Sequence, residues 1–227
     1  MKIEYLQEVG STNDYIRRYL ESGEDIAVCA RRQTGGKGTK GRSFLSCEGG
    51  VYLSFLRFFS DFPSRNAFYI MQHAAVSVCR TAEEFGIEPV IKWPNDVLVG
   101  GRKIAGILIE NTFSGGEIKN SIVGIGLNVS NNLGGLSDIA VNLNEASGRT
   151  LSCGQVRDRL IAHFCGTGFL QSDKLYRERV RLGAITVVTA EERYAATARR
   201  VLDDGRLEIE RDGKISALSA AEVSVRL

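Results

Sequence analysis

The densest chemistry in this sequence lies in one stretch, Arg31-Arg32-Gln33-Thr34-Gly35-Gly36-Lys37-Gly38-Thr39-Lys40-Gly41-Arg42, with five basic residues, four glycines and no acid. Glycine lets backbone N–H groups turn toward a ligand and Lys or Arg supplies counter-charge, so the composition suits a phosphate or carboxylate cradle. A solvated basic connector is the plainer alternative. Gly36 to Ser43 approaches the G-x-x-x-x-G-K-[ST] pattern, but Arg42 stands at the lysine position and Val51 to Phe58, which follows, reads as a strand. A P-loop needs a helix N-terminus there, so a P-loop NTPase is disfavoured.

Lys92-Trp93-Pro94-Asn95-Asp96 places a cation, the only tryptophan, a rigid turn and a carboxylate at the end of an apolar strand. Such a turn can present Asn95 and Asp96 to a ligand or to Mg²⁺, which favours carboxylate oxygens together with substrate phosphates. A tight Pro-Asn-Asp turn with Trp93 in the core fits equally well. Lys103 opens the otherwise apolar run Ile104-Ala105-Gly106-Ile107-Leu108 and is either an edge residue or a cation aimed at an anion. Gly124-Ile125-Gly126-Leu127-Asn128 carries two glycines at a strand end. Val129 follows where a dinucleotide fingerprint needs its next elements, and no helix start comes after it, so a Rossmann reading fails. Glycines in such a strand mark close approach by backbone or ligand.

The elements that must position these residues belong to a globular chain of 227 residues, 43% hydrophobic and 25% charged. That length supports one large core, or one core with a small satellite domain, without disulfides or metals. The net charge of +2 creates no global field toward nucleic acid or membrane, so any anion site is local. Cys29, Cys47, Cys79, Cys153 and Cys165 form no C-x-x-C pair, and His73 and His163 are far apart in sequence. Neither a disulfide framework nor a zinc site is indicated, and the cysteines read as ordinary buried ones. The N-terminus lacks an apolar h-region and no apolar run reaches the roughly 18 residues of a membrane span, so the simplest placement is the cytoplasm.

Ser11-Thr12-Asn13-Asp14 before Tyr15, Ile16, Tyr19 and Leu20 predicts a helix opened by a capping box and closed at Gly23. Strands are predicted at Ile26 to Ala30, Val51 to Phe58, Val90 to Lys92, Val97 to Val99, Ile104 to Glu110 and Ile118 to Leu127, with a long helix from Asn66 to Phe85. Ser130 to Arg149 reads as a loop and about Ser152 to Phe169 as a helix with Val156, Leu160, Ile161 and Phe164 on one face. After Gly183 the texture changes to short strands at Ile185 to Val188, Tyr194 to Leu202, Arg206 to Glu210, Lys214 to Leu218 and Val223 to Arg226. Asp204-Gly205 and Asp212-Gly213 join them as hairpin turns. A small antiparallel barrel of about 45 residues on a larger body is the expectation.

Taken in order, Ser11-Thr12-Asn13, the Gln33 to Arg42 loop, Lys92 to Asp96, Lys103 to Leu108 and Gly124 to Asn128 resemble the biotin protein ligase family over nearly the whole chain. The resemblance implies an α+β fold: a mixed β-sheet with flanking helices, residues 1–180, followed by a C-terminal SH3-like β-barrel, residues 181–227. It implies the ligase-only form, without the N-terminal helix-turn-helix domain of some members, and hence no nucleic-acid partner. It also implies a two-step reaction in which ATP activates biotin to biotinyl-5′-AMP and a lysine of the biotin carboxyl carrier protein of acetyl-CoA carboxylase takes the biotin. Members often pair through the catalytic sheet, so a homodimer stays open.

By the same resemblance, Ser11, Thr12, Asn13 and Gln33 contact biotin. Lys37, Gly38 and Thr39 belong to the loop that closes over it, and Gly106 allows close backbone approach. Lys103, Lys37 and Arg42 are the implied catalytic cations, while Lys40, Arg42, Phe44, Asn95, Asp96 and Asn128 line the ATP side, with Asp96 as the Mg²⁺ candidate. Members commonly have G-R-G-R-R-G-R and a Trp where this chain has Gly36-Lys37-Gly38-Thr39-Lys40-Gly41-Arg42 and Phe44. Lysine keeps the charge but loses the bidentate fork, Thr39 removes a cation, and Phe44 offers less stacking area than Trp. The competing readings are a lipoate or octanoate protein ligase and a biotin-binding module that does not ligate.

Overall fold

The computed structural model describes residues 1–166, 168–220 and 223–226. In chain order the elements are β1 (Lys2–Val9), α1 (Thr12–Ile16), β2 (Ile26–Gln33), β3 (Gly50–Phe58), α2 (Ala67–Glu83), β4 (Val90–Lys92), β5 (Asp96–Val99), β6 (Arg102–Ser114) and β7 (Glu117–Asn128). They continue with α3 (Leu143–Ser147), α4 (Cys153–Gly166), α5 (Asp173–Arg179), β8 (Gly183–Val188), β9 (Arg193–Val201), β10 (Leu207–Arg211), β11 (Lys214–Leu218) and β12 (Ser224–Arg226). Seven strands form a mixed sheet in the order β1-β2-β3-β7-β6-β5-β4, in which only β1 and β2 run parallel. Five more form an antiparallel sheet, β11-β10-β9-β8-β12, which fits the SH3-like expectation.

Side-chain alternation divides the large sheet into two faces. On one, Ala27, Cys29, Leu53, Phe55, Val123 and Ile125 pack with Ala74, Val78 and Phe164 of α2 and α4 into the main core. Phe55 and Phe164 stack with ring centroids 3.9 Å apart. On the other, Ile26, Val28, Leu56 and Ile122 meet Ile16 of α1 in a smaller cluster. The short α1 leaves the rest of that face to Ser54, Gly106, Gly124 and Gly126, which have little or no side chain to cover it. The apolar cluster of the main core continues into the small sheet through Ile185, Val187, Leu207 and Ile209. Trp93 Nε1 donates to the Gly205 carbonyl at 2.9 Å and so ties the two sheets together.

The expected strands are present, mostly a few residues longer than read. Asp212 (φ 51°) and Gly213 (φ 72°) adopt the left-handed pair that a tight two-residue hairpin demands. Several expectations need correction. The first helix has no capping box: the Ser11 side chain makes no cap hydrogen bond, and Gln33 Oε1 accepts from the Thr12 N–H at 2.8 Å instead. β1 was not foreseen, because as an edge strand it buries none of its residues fully and its apolar alternation is weak. The Ser130 to Arg149 stretch holds α3, capped by Asn142 Oδ1 accepting from the Glu145 N–H at 2.9 Å. The helix expected to end at Phe169 ends at Gly166, and α5 follows. Of the cysteines only Cys29 and Cys79 are buried, and Cys165 is exposed. Residues 221, 222 and 227 of the expected C-terminal domain lie outside the described residues. No helix among the described residues is long and apolar enough to cross a membrane.

His73 is part of the frame. Its ring is fully buried on α2, with Nε2 donating to the Phe164 carbonyl at 2.8 Å and Nδ1 accepting from the Ser172 hydroxyl at 3.0 Å. Burial holds its pKa below the ordinary value, against the opposing pull of the Phe164 carbonyl. The unfolded chain therefore takes up a proton that the folded chain refuses, and stability falls as pH drops through about 6.5. Denaturant midpoints are expected to fall between about pH 7.5 and 5.5, and to fall less in His73→Gln. A drop of wild-type size in the variant would contradict this assignment.

Candidate active site

The uncovered sheet face forms the floor of a cavity of about 600 Å³. β7 offers Gly124 and Gly126 on this face, and β6 sets Gly106 directly beside Gly126. The glycines are sites of close approach. A Cβ at Gly124 would lie 2.2 Å from Asn13 Oδ1, and one at Gly126 would lie 2.5 Å from the Phe44 ring. At Gly106 it would meet Lys103 Nζ at 2.8 Å and Phe44 at 3.1 Å. Asn13, Phe44 and Lys103 thus follow one another across the glycine floor, and Asp96, the cross-strand neighbour of Gly106, completes the row.

One end of the row is a neutral hydrogen-bonding cluster. Gln33 Oε1 accepts from both the Thr12 N–H and the Thr12 hydroxyl, at 2.8 and 3.0 Å. Gln33 Nε2 donates to Ser46 Oγ at 2.8 Å, and that hydroxyl donates to the Phe44 carbonyl at 2.9 Å. Ser54 Oγ lies 2.8 Å from Thr12 Oγ1 and 2.6 Å from Asn13 Oδ1. Ser11, Thr12 and Asn13 are buried, yet all three line the cavity. Thr12 and Asn13, buried and bonded through Gln33 and Ser54, keep fixed orientations, as a recognition surface for a small polar ring requires.

The other end is charged. Asp96 pairs with Lys103 at 2.6 Å and with Lys92 at 2.7 Å. Burial alone would raise its carboxyl pKa, but the two ammonium groups outweigh burial and hold it below the ordinary value. Lys103 is not an edge residue, since β6 lies between β5 and β7. Its Nζ is 5.5 Å from the Phe44 ring centroid. The Pro94 turn satisfies both of its readings: Trp93 is buried, while Asn95 and Asp96 line the cavity. Asn95 Nδ2 donates to the Ile107 carbonyl at 2.9 Å.

The basic loop folds back on itself over the cavity. Gly38 N donates to the Arg42 carbonyl at 2.6 Å, and the Arg42 guanidinium reaches Thr39 Oγ1 at 3.0 Å. Lys37 pairs with Asp14 at 2.7 Å. Lys37, Gly38, Thr39, Arg42, Phe44 and Asn128 all line the cavity, but Lys40 does not. Its Nζ donates to the Val223 carbonyl at 2.7 Å, one residue before β12. Asn128 is largely committed to the frame, with Nδ2 3.4 Å from the Lys103 and Val141 carbonyls and Oδ1 accepting from Asn131 at 3.0 Å.

Sequence reasoning missed a wall. Leu133, Leu136, Asp138, Ile139 and Ala140, from the stretch read only as a loop, line the cavity, as do Leu45 and Leu98. Leu136 and Ile139 are exposed and adjoin one another at the rim of the cavity. The Leu133-Gly134-Gly135-Leu136 run was the available signal, but Asn and Gly around it masked its role. Lys103 N donates to the Ile139 carbonyl at 2.9 Å, and Val141 N to the Lys103 carbonyl at 3.0 Å, which docks this wall on β6.

Residues 6–128 match the model of the biotin/lipoate A/B protein ligase family. The bifunctional ligase/repressor BirA of Bacillus subtilis (strain 168) is 33% identical over 178 residues, which make up 76% of this chain and 52% of that protein. The biotin–[acetyl-CoA-carboxylase] ligase of Paracoccus denitrificans is 34% identical over 109 residues, 45% of this chain and 44% of that one. This chain thus spans about half the length of these curated relatives. The biotin protein ligase from Aquifex aeolicus, solved in complex with biotin and ATP, superposes with a TM-score of 0.79 at 27% identity, covering 99% of this chain and 98% of that one. With more than half its residues inside the family model and 99% of its length covered by the fold of a solved biotin protein ligase, the chain belongs to the biotin/lipoate A/B protein ligase family.

Proposed function

We propose that this protein activates biotin with ATP and transfers it to a lysine of a biotin carboxyl carrier protein, as an ATP-dependent biotin–protein ligase of the cytoplasm. The observation that carries the reading is the row across the glycine floor: a fixed neutral cluster at Thr12, Asn13 and Gln33, an aromatic wall at Phe44, and cations at Lys103 and Lys92. A urea-like ring would bind at the neutral end, its hydrocarbon chain would pass Phe44, and its carboxylate would reach Lys103. There a carboxylate oxygen attacks the α-phosphorus of ATP, forming the mixed anhydride and releasing pyrophosphate. An acceptor lysine amine then attacks the anhydride carbonyl, an amide forms and AMP leaves.

Neither step requires a protein nucleophile; each requires positioning and neutralised charge. Lys103 would exchange Asp96 for the developing charge, with Lys92 remaining on Asp96. Arg42 and Lys37 would come from the loop, and Gly38, Thr39 and Gly106 would let backbone approach the ligand. Phe44, Asn95 and Asn128 would face the nucleotide. Among the described residues no group of three His, Cys, Asp or Glu is placed to hold a metal alone. Mg²⁺ therefore fits only as an ion shared between Asp96 and substrate phosphates, where it would neutralise phosphate charge. We assign the catalytic part to residues 1–180 and the SH3-like part to residues 181–227.

The test is pyrophosphate release from ATP with either acid, followed by mass spectrometry for biotinyl-AMP and for a labelled carrier domain. Release with biotin and labelling of the carrier are expected. Release with lipoate but not biotin would move the protein to the lipoate branch, and binding of biotin without release would make it a binding module.

A further inference from the structure

We propose that Glu110 is a positioning residue for ligand recognition, fixing which way the Asn13 amide faces. The inference rests on the biotin reading above. Asn13 Nδ2 donates to Glu110 Oε2 at 2.9 Å, and Arg17 holds the other carboxylate oxygen at 2.5 Å. Among the described residues, the hydrogen-bond partner on the opposite side of the Asn13 amide is Ser54, 2.6 Å from Oδ1. A hydroxyl donates or accepts with equal ease, so Ser54 cannot distinguish the two ends of an amide. A carboxylate accepts only, so Glu110 draws the NH₂ end toward itself and turns Oδ1 toward Ser54.

The consequence passes along the cluster by counting protons. Asn13 Oδ1 carries none, so its contact uses the single Ser54 proton. Thr12 must then use its own proton on Gln33 or Ser54, the two oxygens within 3.0 Å of it. Thr12 is left with lone pairs for a ligand N–H, and Asn13 with its second amide hydrogen for a ligand carbonyl. That is the complement of a cyclic urea. With Asn13 reversed, Nδ2 would serve Ser54, the Ser54 proton would take one Thr12 lone pair, and Asn13 would offer the ligand a carbonyl lone pair where it had offered a hydrogen. Glu110 lies on the same face of β6 as Gly106, four residues along the strand.

Arg17 makes the proposal testable by an isosteric change. In Glu110→Gln the new amide must give its oxygen to Arg17, which only donates, and its NH₂ then faces Asn13 and reverses it. Calorimetry with biotin is expected to show affinity at least tenfold weaker, with an unchanged melting temperature and unchanged ATP KM. In the Arg17→Met background the Gln oxygen is free to face Asn13, so Arg17→Met/Glu110→Gln is expected to bind biotin within about threefold of Arg17→Met alone, because the acceptor is restored. Biotin affinity unaffected by Glu110→Gln, or weakened equally in both backgrounds, overturns the proposal. Wild-type protein that binds lipoate and not biotin overturns the functional reading instead, so the two failures are distinguishable.

Discussion

Lys103→Ala is expected to slow biotin-dependent pyrophosphate release by about 10²-fold or more, with a melting temperature close to wild type. The expected loss is large because Lys103 is the cation at the end of the glycine floor where the carboxylate and α-phosphate would join. In a partly enclosed site, charge developing in the transition state gains far more from a fixed ammonium than it would in water. The fold should tolerate the change for two reasons. The bonds that Lys103 makes to the Ile139 and Val141 segment use its backbone, which alanine retains. Asp96 also keeps Lys92 at 2.7 Å, so no buried carboxylate is stranded. Single-turnover release measured at saturating biotin and ATP decides the matter, and a rate within threefold of wild type would remove Lys103 from the chemistry. A matching loss in melting temperature would instead assign it to the frame.

Gly124→Ala is expected to weaken biotin binding by roughly 10- to 30-fold, from the loss of about two hydrogen bonds, while leaving ATP affinity unchanged. Gly124 does not occupy the left-handed backbone region, so alanine brings no conformational strain. The methyl group would sit 2.2 Å from Asn13 Oδ1 and 2.9 Å from Asn13 Cγ. Asn13 is buried and held from both sides, so it can retreat only by giving up Ser54 or Glu110. Titration of the variant with biotin and, separately, with ATP isolates the effect. Equal weakening toward both ligands would mean that the floor as a whole had shifted, and unchanged biotin affinity would mean that Asn13 is not a recognition group.

The sequence by itself was enough to place the strands other than β1, the long α2 and the hairpins of the small sheet, because these depend on local signals: apolar periodicity and Asp-Gly turns. It was also enough to nominate the site, because the five motifs carry unusual residue types in a distinctive order. β1 escaped because an edge strand that buries little leaves little pattern, and α3 because an Asn-rich stretch resembles a loop until Asn142 is seen to cap it. What the tertiary structure alone decided is the assembly of the motifs. Strand register placed Gly106 beside Gly126 and Asp96 beside Gly106, and so set Asn13, Phe44, Lys103 and Asp96 in one row. It also withdrew Lys40 from the cavity to the Val223 carbonyl, brought in the Leu133 to Ala140 wall, and joined Glu110 to Asn13 across 97 residues of chain. Local preferences act over a few residues and can be read in line. Register and cross-chain hydrogen bonds are chosen by the packing of the whole sheet, and no segment carries them alone.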